Sequence, residues 1–192
     1  MQAIDALLKR RSAKILTEPA PDDGALELLL ECAARAPDHG RLRPWRFIVI
    51  RGAARERLGA LMAEQLRRKQ PSASDEALQR ERQKALRAPL IIVVAAVCIA
   101  TAKVPAIEQV LAAGAAAQNM MLAAMALGFG AMWKTGDAAY DETVKVALGL
   151  EARDAIVGFL YLGTAPADAM PPATRGQWQD RISYFGEAAV KA

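Results

Sequence analysis

Ile4, Leu7 and Leu8 recur with helical spacing and predict a short first helix that runs into Arg10, Arg11 and Ser12. Pro19 and Pro21 then break the chain. Asp22 or Asp23 is placed to cap a second helix, which carries Leu26, Leu29, Leu30 and Ala33 and ends before Pro37. Residues 45–52, WRFIVIRG, read as a strand. Leu58, Leu61, Met62 and Leu66 share one face of a third helix. Residues 89–100, PLIIVVAAVCIA, form an unbroken run rich in β-branched side chains, which predicts a strand buried on both faces. Later come a short strand and turn in GAMWKTGD, a helix over 141–148 and a further strand over 156–164.

Three stretches break this rhythm. Residues 106–127 are apolar almost all round, apart from Glu108, Gln109, Gln118 and Asn119. A helix of about 33 Å with no clearly polar side must be covered on every side. A homodimer does this readily, with Ala112, Ala113, Gly114, Ala115, Ala116 and Ala117 allowing two backbones to approach. Residues 67–87 are strongly charged, with seven cations, and read as a mobile surface excursion whose charges form a solvated face. The tail holds Pro171, Pro172, Trp178, Tyr184 and Phe185, the apolar and aromatic content of a segment that wraps a partner subunit.

The chain has 192 residues, 53% hydrophobic and 24% charged, which suits one globular domain over 1–192. The order of elements allows α+β or α/β. A net charge of +4, from 25 basic and 21 acidic residues, is too balanced to argue for nucleic acid. The segment 110–133 is interrupted by Gln118, Asn119, Gly128 and Gly130, so no membrane span is expected. MQAIDALLKRRS places its charges after its apolar residues, the reverse of a secretory signal, and a cytoplasmic protein is expected. Cys32 and Cys98 read as reduced core cysteines. One histidine and two scattered cysteines give no metal-ligand spacing.

The chemistry is sparse. Gly-Phe-Gly at 128–130 is not a dinucleotide fingerprint, since it lacks the third glycine and follows a helix rather than a strand. There is no phosphate-binding P-loop, no nucleophile elbow and no paired carboxylates flanking a cleft. Side chains so poor in acid–base machinery fit an enzyme whose cofactor carries the reaction. Arg10, Arg11, Ser12 and Lys14 form a compact set of donors and cations, suited to a phosphate with a polyol tail. Arg10 and Arg11 also suit a plain helix C-terminus, which favours cations. His39, the chain's single histidine, lies in a loop bounded by Pro37 and Pro44, and taken by itself it reads as a surface or structural residue.

KRRSAK at 9–14 and RAPDHGRLRPWRF at 35–47 together resemble the FMN-dependent nitroreductase family, in its small single-domain NAD(P)H nitroreductase subclass. The resemblance implies a three-layer α+β fold, with a central, mostly antiparallel sheet flanked by helices, in a homodimer. It implies that Arg10, Arg11, Ser12 and Lys14 grip the FMN tail. Arg35 and His39 would reach the flavin, commonly from the opposite subunit. Ala131, Met132, Trp133, Lys134, Thr135 and Gly136 would lie against the isoalloxazine ring, with Met132 and Trp133 as apolar wall. His39 would position flavin or substrate, with no carboxylate beside it except Asp38. No side chain is singled out as catalytic. NAD(P)H would reduce FMN, and a nitroaromatic, quinone or related conjugated small molecule would accept the electrons. Two alternatives stay open: a flavin-using reductase of a non-nitro metabolite, and a non-enzymatic dimeric protein that binds a phosphorylated small molecule.

Overall fold

A computed structural model describes residues 2–166, 176 and 178–185. Four strands make one sheet: β1 (Trp45–Arg51), β2 (Leu90–Ala96), β3 (Gly130–Lys134) and β4 (Ala155–Gly163). Their order is β1-β2-β4-β3, and every neighbouring pair is antiparallel. The helices are α1 (Ala3–Lys9), α2 (Asp23–Ala33), α3 (Ala54–Lys69), α4 (Asp75–Lys84), α5 (Ala106–Ala126) and α6 (Glu142–Ala147).

The central strand β2 explains the layering. All seven of its residues are buried. Strand alternation sends Ile91, Val93 and Ala95 into one core with Leu58, Met62 and Phe159. Leu90, Ile92, Val94 and Ala96 enter the other core with Leu29, Ala113 and Met120. Helices α3 and α6 cover the first face, with α4 packed on α3; α2 and α5 cover the second. This is the expected three-layer α+β architecture.

An extended N-terminal segment completes the sheet. Ser12 pairs in parallel with Ala131, and the Ala13 N–H donates to the Ala131 carbonyl at 3.1 Å. Thr17 and Thr164 exchange backbone bonds of 2.9 and 2.8 Å. Glycine permits this junction, because a Cβ on Gly130 would lie 2.6 Å from Ala165 Cβ and 2.7 Å from Leu16 Cδ2.

Two expectations are corrected. Residues 67–87 are no loose excursion. Ser74 caps α4 by accepting from the Ala77 N–H, Leu78 is buried, and α4 packs on α3. Gly59 lets the helices close up, since a Cβ there would meet the Arg82 carbonyl oxygen at 2.5 Å. Cys98 is buried as expected, but Cys32 is exposed. Helix α5 is covered on one face only within the chain, through residues including Ala113, Ala117, Met120 and Ala124; Ile107 and Leu111 are 62% and 63% exposed. In the tail, Trp178, Tyr184 and Phe185 are exposed, while Pro171 and Pro172 lie outside the described residues. Among the described residues no helix is long and apolar enough to cross a membrane.

Candidate functional site

The pairing of Ser12 with Ala131 brings two of the sequence-predicted segments together. Arg10 and Arg11, half-buried, follow α1 directly; Ser12 and Lys14 are exposed beside the β3 edge. Arg10 Nη1 is buried and has no hydrogen-bond partner among the described residues. A buried guanidinium nitrogen is costly to leave unsatisfied, and a phosphate oxygen is a fitting acceptor for it. The residues present therefore fit an anionic group at this corner.

Farther along β3, alternation separates side chains that the sequence reading grouped. Met132 joins the core under α3, whereas Ala131 and Trp133 join the core under α5. Trp133 lies over Gly158, where a Cβ would come within 2.1 Å of its Nε1, and that nitrogen donates to the Val157 carbonyl at 3.1 Å. Met132 and Trp133 consequently cannot form one wall. Lys134, Thr135 and Gly136 are exposed at the strand's end. Gly136 has φ +76° and ψ −178°, a conformation essentially reserved for glycine, and turns the chain into Asp137–Ala139.

This strand end borders a cavity of about 280 Å³ between α3, α4 and the sheet. Besides Lys134, Thr135 and Gly136, its lining includes Gln65, Glu81, Lys84, Arg87 and Tyr161. The sequence reading missed Glu81, Lys84 and Arg87 by assigning the charged segment wholly to solvent. Their signal was spacing: Glu81, Lys84 and Arg87 recur every three residues at the end of a helix, immediately before the buried strand. Lys84 is paired with Glu81. Burial pushes the Tyr161 phenol up to about 12; Arg87 draws it down and Glu81 raises it. Tyr161 is thus a neutral hydrogen-bonding group at ordinary pH. The cavity's lining mixes the cations Lys84, Arg87 and Lys134 with the carboxylates Glu81 and Asp137, and so offers both donors and acceptors to a ligand.

His39 stands on a different platform. Its loop turns through Gly40, Arg41 and Arg43, with φ of +74°, +53° and +50°. Asp38 Oδ2 accepts from the Arg43 N–H at 2.6 Å. Contrary to expectation, a second carboxylate adjoins the histidine: Glu108 Oε2, in the first turn of α5, lies 2.5 Å from His39 Nδ1. No hydrogen bond joins this loop to β3 among the described residues. Arg35 is also set apart. It is exposed, paired with Glu31 at 3.6 Å, and borders an open groove of about 410 Å³ with Leu7, Cys32, Asn119 and Leu122. Within one chain the structure thus joins residues 12–13 to the start of β3, and leaves Arg35 and His39 elsewhere.

Comparison with known proteins places this geometry. The profile of the nitroreductase family matches residues 7–164. "Putative NAD(P)H nitroreductase YdjA" of Escherichia coli (strain K12) is 43% identical over 96% of this chain and 100% of its own length. Among solved structures, a nitroreductase-like family protein from Bacillus cereus superposes with a TM-score of 0.79 at 26% identity, covering 97% of each chain. A Desulfovibrio desulfuricans protein described as a "putative nitroreductase in complex with fmn" has a TM-score of 0.73 at 28% identity, covering 97% of this chain and 96% of its own.

Proposed function

The chain belongs to the nitroreductase family, and from that premise we propose that it is a homodimeric, FMN-dependent NAD(P)H oxidoreductase that reduces a nitroaromatic, quinone or related conjugated acceptor. Bound FMN would supply the redox chemistry, taking hydride from NAD(P)H and passing electrons in pairs to the acceptor. The single observation that carries this reading is the buried, unsatisfied Arg10 Nη1 at the corner shared by residues 10–14 and β3. It supports a phosphate anchor there.

The chain's own groups then have distinct tasks. Arg10, Arg11 and Ser12 hold the phosphate and polyol, and Lys14 adds positive charge. Ala131 and Met132 contribute backbone and packing beside the ring, and Trp133 braces the strand from the far face. Backbone donors at Thr135 and Gly136 address the reactive nitrogen edge. Lys134, with Lys84 and Arg87 across the cavity, favours the anionic reduced state of a bound ring. Arg35 and His39 act across the dimer interface. The exposed Ile107 and Leu111 on α5 support that assembly.

An absorption spectrum tests the proposal. The purified protein should be yellow, bleach when NADH or NADPH is added without oxygen, and recolour when a quinone or nitroaromatic follows. A colourless protein that gains no flavin band after incubation with FMN would reject the enzyme and favour a binder of some other phosphorylated molecule.

A further inference from the structure

We propose that Gln65 and Tyr161 read the imide edge of the bound flavin, its N3–H and flanking carbonyls, inside the cavity at the end of β3. This rests on the FMN reading and names the groups that would select a flavin among anionic ring compounds. Gln65 is 6% exposed and Tyr161 3% exposed, and both line the cavity; neither is among the fully buried unpaired polar atoms of the described residues, so their polar ends open to the cavity. Two largely buried side chains whose polar ends open into one cavity offer fixed donors and acceptors to a ligand seated there.

The chemistry of the pair fits an imide. A carboxamide presents a donor and an acceptor side by side and so matches an N–H next to a carbonyl. A phenol adds one donor for a remaining carbonyl. Tyr161 keeps its proton across the ordinary pH range, because burial raises its ionisation to about 12. Both groups sit on rigid elements, Gln65 on α3 and Tyr161 on β4 opposite Met132. The neighbouring charges cannot do this work. Lys84 already engages Glu81, and cations attract any anion without reading a pattern of donors and acceptors.

The test compares FMN with N3-methyl-FMN, in which the imide hydrogen is replaced, using fluorescence titration and the visible bands of the bound ring. Wild type should bind the methylated cofactor roughly tenfold more weakly, the scale of a lost hydrogen bond with an unpaired partner. Tyr161→Phe and Gln65→Ala should each weaken FMN by roughly three- to tenfold, and Gln65→Ala should discriminate less against the methylated form. Wild type that binds both cofactors equally overturns imide recognition while leaving the FMN reading intact, whether or not the variants fold. Folded variants with wild-type affinity, band positions and discrimination also overturn it. Wild type that binds neither cofactor removes the FMN reading and this inference with it.

Discussion

The corner around Arg10 and the loop around His39 are both short polar segments between regular elements, yet they are fixed by different means. The corner is sewn into the sheet by backbone, through the Ala13 bond to Ala131 and the exchange between Thr17 and Thr164. The loop is held by side chains, through Asp38 on the Arg43 N–H and Glu108 on His39. It stores backbone strain at Arg41 and Arg43, both in the left-handed region that non-glycine residues rarely adopt. The corner has a buried donor awaiting an acceptor. The loop's histidine has a side chain 68% exposed and its bonded nitrogen turned toward its own chain. One region keeps a buried, unpaired donor within a single protomer; the other turns an exposed imidazole, paired with Glu108, toward solvent.

The largest expected effect comes from separating the two regions by breaking the proposed dimer. Ile107→Glu with Leu111→Glu puts two charges on the exposed apolar side of α5. Sedimentation should show a monomer, and acceptor reduction should be lost while the protein stays folded. An active monomer at micromolar concentration would place the whole function in one chain. Next is Arg10→Ala, which removes only the corner's anchor. FMN affinity should fall by ~1.5–3 kcal/mol, the range for a hydrogen bond to a charged group. Flavin binding unchanged in the folded variant would remove Arg10 from the site. Smaller still is Gly130→Ala, which crowds Leu16 and Ala165 and pries at the seam. Urea unfolding should show a loss of ~1–3 kcal/mol, as for overpacking elsewhere. A neutral result would mean that the N-terminal segment yields without cost.

The same contrast governs what could be read from sequence. The continuous run in β2 and the Asp22 cap of α2 are local signals, and both strand and helix stand as expected. The corner was readable as two segments but not as one place, because the bridge from Ser12 to Ala131 spans most of the chain. The charged stretch was misread because one buried leucine, Leu78, and one glycine, Gly59, dock α4, and charge composition outweighs them in any pattern. That error hid Glu81, Lys84 and Arg87 at the cavity. Met132 and Trp133 were assigned one role although strand alternation forbids it. Glu108 could not be matched to His39, since 69 residues separate them and only the packing of the loop on α5 brings them together.

The smallest expected effect concerns His39, and Glu108 sharpens it. A carboxylate on Nδ1 fixes the ring's orientation and leaves Nε2 as the outward nitrogen. Such a pairing serves a proton donor as well as a positioning residue. The pair is exposed, and its own contribution to stability is on the order of 0.2–1 kcal/mol. A positional role predicts that His39→Asn, which keeps a donor, retains most of the NAD(P)H oxidation rate. Glu108→Ala should weaken FMN or acceptor binding by a few-fold at most, and adding it to His39→Asn should do nothing further, because it acts through a ring no longer present. Loss of an essential general acid would instead cost about 10²–10⁴-fold. Stopped-flow measurement of flavin reduction and of reoxidation by a quinone separates the cases. If His39→Asn binds FMN normally yet loses a hundredfold in either half-reaction, with its pH dependence abolished, His39 is a proton donor with Glu108 as its orienting carboxylate, and the positional reading is overturned.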